Sequence, residues 1–98
     1  MTATETIQKV LLVNGEFTPS EAAEVIGSLI DQKINFHKIK RLQQWEQDHY
    51  ADTSTIENRI RELEKEKRAA KAFIRQAQEE GGNFTIHGEL RICFTPSA

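Results

Sequence analysis

Two residues near the middle of the chain have the spacing of half a metal site. Glu46 and His49 stand three positions apart, which places two ligands on one helix face in carboxylate-bridged metal centres. Such a centre needs further carboxylates from neighbouring helices. The segment instead falls at a predicted turn between two helices, where polar residues are ordinarily solvated. We therefore predict a polar turn and no metal site.

The other histidines and the single cysteine show no pattern typical of catalysis. His37 has neither a nucleophile nor an orienting carboxylate in a recognisable arrangement, so a half-buried, hydrogen-bonded histidine is the simpler interpretation. His87 and Cys93 are about 20 Å apart along a strand and cannot share a ligand within one chain. The sequence also has no phosphate-binding glycine loop, serine elbow or zinc-type cysteine pairing. We predict no enzyme activity, no catalytic residue and no cofactor.

Basic residues form two runs that an antiparallel helical hairpin would bring together. Glutamates interleave with them, and their i, i+4 spacing to arginine predicts a salt-bridged, solvated surface. The alternative is a nucleic-acid-binding protein that uses this mid-hairpin surface. The residues that would make those contacts are Lys33, Lys38, Lys40, Arg41, Arg68 and Lys71.

Composition limits the class of protein. The chain has 98 residues, of which 38% are hydrophobic, enough for one domain with a thin core. The net charge of −2 indicates no bulk preference for nucleic acid, which we consider an unlikely partner. One cysteine suits a reducing compartment, and the longest apolar run has four residues, far short of a membrane span. We expect a cytoplasmic protein without membrane contact.

The clearest helix signal lies between residues 54 and 80. Ser54 and Glu57 have the spacing of a capping box, and Gly81-Gly82 supplies a left-handed stop. Apolar residues recur at alternating gaps of four and three, as in a coiled-coil seam, with Lys67 as the polar interruption. The seam positions are Ile56, Ile60, Leu63, Lys67, Ala70, Ile74 and Ala77.

A second helix is predicted over residues 19 to 49. Thr18, Pro19 and Glu21 have the residue types of an N-cap, a first helical position and a capping-box partner. The apolar residues of this segment do not form one stripe, so the helix is either kinked near residues 33 to 35 or contacted from two sides. We favour a continuous helix with two buried faces.

The chain ends are predicted to be strands. Residues 6 to 13 suit a short strand buried on both faces, with a short helix as the alternative, and Asn14-Gly15 is expected to turn the chain. Residues 83 to 94 alternate apolar and polar, which predicts a strand with one apolar face. Gly88 within it indicates a bulge or a close backbone approach.

These elements predict an α+β fold, a long antiparallel helical hairpin flanked by an N-terminal and a C-terminal strand. Because a two-stranded sheet is marginal and the second helix covers only one face of the first, we expect a homodimer that completes the sheet. The function predicted is a non-catalytic homodimeric protein-interaction or scaffold module, whose protein partner and process the residues do not identify. The predicted dimer interface comprises Leu42, Trp45, Leu90, Ile92 and Phe94.

Overall fold

The computed structural model describes residues 6 to 97 and confirms the predicted α+β fold class. The elements follow in the order strand, helix, helix, strand, and the two strands pair antiparallel in one sheet. Their bounds are β1 (Thr6–Phe17), α1 (Pro19–Gln47), α2 (Ser54–Gln78) and β2 (Phe84–Phe94).

Helix α1 begins as its sequence predicts and runs as one continuous helix. The Thr18 hydroxyl accepts from the Glu21 N–H at 3.2 Å, and the Glu21 carboxylate accepts from the Thr18 N–H at 2.9 Å. The helix ends at Gln47, two residues before the predicted end, because Asp48 is extended and its carboxylate accepts from the Tyr50 N–H. Local hydrogen bonding thus sets both ends of α1.

Helix α2 differs from prediction at both ends. The predicted Ser54–Glu57 capping box is wrong, because Ser54 is already the first helical residue and donates its N–H to the Asp52 carboxylate at 3.0 Å. The helix ends at Gln78, two residues earlier than predicted. Gly81 and Gly82 have φ of 82° and 105°, the left-handed conformation predicted for the stop.

Strand β1 is four residues longer than predicted, and the expected turn at Asn14-Gly15 does not form. Asn14 pairs with His87 and Gly15 with Ile86, so the strand continues to Phe17. The helix alternative is wrong. So is burial on both strand faces, because Val10, Leu11 and Leu12 are 37–56% exposed.

A β-bulge explains why four apolar residues stand in a row in β1. The pairing slips between Leu11 and Val13, so Leu12 is the extra residue. Gly88 lies opposite Val13, and a Cβ added to Gly88 would be 3.0 Å from Val13 Cγ1. The bulge therefore returns Val13 to the same sheet face as Val10. Of the two alternatives predicted for Gly88, a bulge or a close backbone approach, the structure shows a bulge, which lies on the opposite strand. Strand β2 begins at Phe84, one residue later than predicted.

The core lies between the helices and is thin. Ile34 of α1 packs with Ile60 and Leu63 of α2, and Ile30 and Ile56 flank them. Within the described chain no large side chain is buried beyond 98%. The predicted seam of α2 is its least exposed face, because each of its seven positions is buried or half-buried.

The paired strands form a ribbon that leaves the helices at a wide angle. Helix α1 is about 44 Å long, and a 12-residue strand is about 40 Å long. The Cα extents of 52 × 44 × 16 Å match two such arms that lie at a wide angle in one thin plane. Arms placed end to end would be longer than 52 Å, and arms folded against each other would be narrower than 44 Å. The ribbon meets the helices only at its base, where the Phe84 and Phe73 rings stand 6.0 Å apart in edge contact.

Candidate interaction surfaces

Facing side chains of the hairpin share one register. Arg41 lies 3.9 Å from Glu57, and Lys67 Nζ lies 2.6 Å from the Asp31 carboxylate. In both pairs the two residue numbers total 98. A hairpin that turned symmetrically at residue 51 would give a total of 102, twice 51, so the basic runs are about one helical turn away from that alignment.

Lys67 uses its whole length at the position where it interrupts the apolar seam. A Cβ added to Gly27 would lie 3.9 Å from Lys67 Cε and 3.6 Å from Lys71 Cε. The lysine stems therefore cover the buried glycine, and the Lys67 ammonium ends on Asp31. This contact accommodates a charged residue in the seam.

The structure separates the six predicted basic contact residues into groups. Lys38, Arg68 and Lys71 line one depression of about 300 Å³, which we call the basic depression. Lys33 and Lys40 instead lie over the Phe36 ring, with their ammonium groups 5.0 and 5.9 Å from its centre. The other residues lining the basic depression are Asp31, Ile34, Glu64 and Lys67.

Arg41 belongs to a third region, an apolar groove near the hairpin turn that we call the tip groove. Its volume is about 500 Å³, and Leu42 and Trp45 in its wall are 54% and 50% exposed. The Trp45 ring stacks on His49 with 4.2 Å between centres. The residues lining the tip groove are Lys38, Ile39, Arg41, Leu42, Trp45, Thr53 and Glu57.

A second exposed apolar surface lies on the ribbon, and we call it the ribbon face. Strand pairing and the bulge place its members on one side of the sheet. Exposure rises toward the free end, from half-buried Ile86 to 50% for Leu90, 55% for Ile92 and 61% for Phe94. The members of the ribbon face are Val10, Val13, Ile86, Leu90, Ile92 and Phe94.

The five residues predicted for a dimer interface thus lie on two surfaces of the chain. Leu42 and Trp45 are at the tip of the hairpin, whereas Leu90, Ile92 and Phe94 are on the arm that leaves its base. Residue types and spacing had placed each of them on an apolar face. The wide angle between the two arms, which separates them, has no local sequence signal.

His37 differs from its predicted environment. It is half-buried, but its Nε2 atom is shielded from solvent and has no hydrogen-bond partner. Its ring meets Phe36 edge-on at 5.6 Å. Desolvation, followed by the charges of Lys33, Arg59 and Lys40, lowers the pKa of His37 below 6.5. This histidine is therefore favoured in its neutral form.

The hairpin turn carries exposed acidic and aromatic side chains. Tyr50 is 96% exposed. The side-chain and backbone hydrogen bonds from Ser54 lower the pKa of Asp52, which keeps its carboxylate charged. Glu46 and His49 remain at this turn, and the part of the chain described contains no group of three or more metal-ligating side chains.

The remaining candidate side chains lie apart on the ribbon. His87 Nδ1 is 3.2 Å from the Asn14 side-chain oxygen across the strand pair. Cys93 is an exposed free thiol.

Comparisons with protein-family models, with curated proteins and with solved structures found no match. Among residues 6 to 97, neither helix is both long enough and apolar enough to cross a bilayer.

Proposed function

We propose that this chain is a non-catalytic protein-interaction module that forms a homodimer through its ribbon. The observation that carries this proposal is the ribbon face, three of whose members are at least half exposed. Contiguous exposed apolar surface of this kind is uncommon on soluble monomers and is typical of association sites.

The outer edge of β2 offers a direct way to pair two copies. In the described sheet β2 pairs with β1 alone, so its second edge has free backbone donors and acceptors. Antiparallel pairing with the same edge of a second copy makes a four-stranded sheet about a two-fold axis. Leu90, Ile92 and Phe94 then lie beside their equivalents, which removes apolar flanks from water.

Sedimentation equilibrium at about 5 μM tests this dimer, a concentration suited to contacts of standard size. The expected mass is near twice the 11.2 kDa of one chain. Ile92→Lys should reduce it to one chain, because like charges come together across the new strand pair. Ile7→Lys makes the same change on the other sheet face and should leave the dimer intact. A monomeric wild type, or a dimer insensitive to Ile92→Lys, refutes the proposal.

Nucleic-acid binding is the second candidate, and the basic depression is the observation that favours it. Lys38, Lys67, Arg68 and Lys71 converge there, although Asp31 and Glu64 offset half of their charge. Phosphate binding at this site would weaken steeply with salt because counterions are released. We expect binding no tighter than about 10 μM at physiological salt. Submicromolar binding that Lys38→Glu with Arg68→Glu abolishes would reverse this ranking.

A further inference from the structure

The tip groove and the basic depression form one continuous surface along the side of the hairpin. Lys38 lines both of them. The surface therefore passes from an apolar end at Leu42 and Trp45 to a basic end at Lys67 and Lys71. A ligand for it must itself combine an apolar part with an acidic part.

The hairpin turn of the same chain has that combination. Glu46 follows Leu42 by four residues and thus lies on the same face of α1, one turn nearer the tip. Beyond it are Asp48, exposed Tyr50 and Asp52, whose carboxylate accepts the Ser54 N–H at 3.0 Å. From the basic depression toward the tip, the hairpin is therefore basic, then apolar at Leu42 and Trp45, then acidic at Glu46 and in the turn.

That order is self-complementary when two hairpins lie antiparallel. With a two-fold axis at Leu42, residue numbers that face each other across two α1 helices total 84, twice 42. Lys38 then faces Glu46 of the second copy, and Ile39 faces Trp45 of the second copy. Each Leu42 faces its own equivalent. One position of the two-fold axis therefore pairs the opposite charges and brings the apolar residues together.

The acidic turn also arrives at the right distance along the hairpin. Asp31, which holds the Lys67 ammonium, is 11 residues from Leu42, or about 16 Å along the helix. Asp52 lies about the same distance from Leu42 in the opposite direction along the chain, because α1 ends at Gln47 and the turn follows directly. In an antiparallel pair, Asp52 of the second copy therefore comes to the level of Asp31. The acidic turn of one copy therefore covers the basic depression of the other.

We propose that this side of the hairpin binds a second copy of the chain, antiparallel, about a two-fold axis at Leu42. The contact is independent of the ribbon dimer proposed above and would link such dimers into larger assemblies. It spans about 33 Å of a hairpin about 18 Å wide, on the order of 600 Å² on each copy. That area is below the standard 800 Å² of stable complexes and corresponds to a weak association.

A charge exchange in the Ile92→Lys chain tests the hairpin contact without the ribbon dimer. Sedimentation at concentrations up to about 500 μM suits a weak contact, and the Ile92→Lys chain should form dimers within this range. Adding Lys38→Glu or Glu46→Lys should raise the dissociation constant about tenfold, because the two-fold axis repeats each like-charge contact. An equimolar mixture of those two variants should associate again, as a heterodimer in which both pairs are opposite in charge.

Lys65→Glu makes the same charge change at an exposed residue outside both parts of the surface and serves as the matched control. Trp45, the only tryptophan in the chain, provides a second readout. Its emission should shift to shorter wavelength as the hairpins associate. A monomeric Ile92→Lys chain at 500 μM, equal effects of Lys38→Glu and Lys65→Glu, or a mixture that stays monomeric each overturns the hairpin contact. None of these results bears on the ribbon dimer, which is measured in the wild type at 5 μM.

Discussion

The hairpin and the ribbon treat their apolar residues in opposite ways. In the hairpin, Ile34, Ile60 and Leu63 are each at most 7% exposed, because two helices bury each other's apolar stripes. In the ribbon, Leu90, Ile92 and Phe94 alternate as regularly but are at least half exposed. In a helical hairpin the second helix follows directly along the chain and covers the apolar stripe of the first. A two-stranded ribbon has no second layer to cover its apolar face. The hairpin therefore contributes the buried apolar contacts that stabilise the fold, and the ribbon contributes exposed apolar surface.

The largest expected effect is a loss of stability from truncating the hairpin core. Leu63→Ala removes a 5% exposed side chain from the cluster and should lower the free energy of unfolding by about 3 kcal/mol. Leu90→Ala removes the same atoms from a 50% exposed site, and measured at a concentration where the chain is monomeric should cost less than about 1 kcal/mol. Urea unfolding followed by circular dichroism gives both values. Similar losses for the two variants would mean that the ribbon is covered within one chain.

The next effect concerns how the ribbon keeps its apolar residues on one face. In Gly88→Ala the new methyl group lies 3.0 Å from Val13 Cγ1, so the Val13 side chain beside the bulge must move by a few tenths of an ångström, and we expect a cost of about 1 kcal/mol. The control is Gly15→Ala, which meets only the Phe17 ring at 3.8 Å and should be neutral or slightly stabilising. The urea midpoints of the two variants test this. Equal midpoints would show that the bulge does not require a glycine.

Gly88 and Gly15 also show how far the sequence predicts this fold. The alternation of β2 and the seam of α2 are local patterns, so each predicted its element and the face that element buries or exposes. Gly88 predicts a bulge or a close backbone approach, and a bulge lies opposite it. The dipeptide Asn14-Gly15 predicts a turn, but both residues pair within the sheet. One extra residue, Leu12, reverses the alternation and cannot be identified without the partner strand.

The candidate surfaces were less predictable than the elements. Lys38, Arg68 and Lys71 do meet, as the hairpin topology implied, but Lys33 and Lys40 lie over Phe36 instead. The register of the two helices determines which basic residues meet in the basic depression. The pairs Arg41–Glu57 and Asp31–Lys67 show that register, and the packing of the hairpin core between the helices stabilises it. Nor did any local pattern give the angle between hairpin and ribbon.

Lys67→Leu tests how much the hairpin gains from apolar packing, because it makes the hairpin seam wholly apolar. The exposed pair with Asp31 contributes little in water, and Asp31 itself stays solvated with a side chain 55% exposed. Leucine should gain more by packing against α1, so we expect a rise in unfolding free energy of about 1 kcal/mol, with looser specification of helix register. Chemical denaturation measures the change, and Lys65→Leu on the exposed face is the control. A lower midpoint for Lys67→Leu would show that the ion pair is structurally required.

The smallest expected effect is a pH dependence that arises in the hairpin and not in the ribbon. Desolvation and the nearby cations Lys33, Arg59 and Lys40 lower the pKa of His37 in the folded chain below the 6.5 of the unfolded one. As pH falls through 6.5, the unfolded chain binds this proton first, so stability decreases until the folded chain is protonated as well. Stability should therefore be complete above about pH 7.5 and decline toward pH 5.5. Urea midpoints across this range should lose part of their slope in His37→Gln and keep it in His87→Gln, a ribbon residue. An unchanged slope in His37→Gln would mean that the proton is bound elsewhere, and that the shielded Nε2 atom finds a partner in solution.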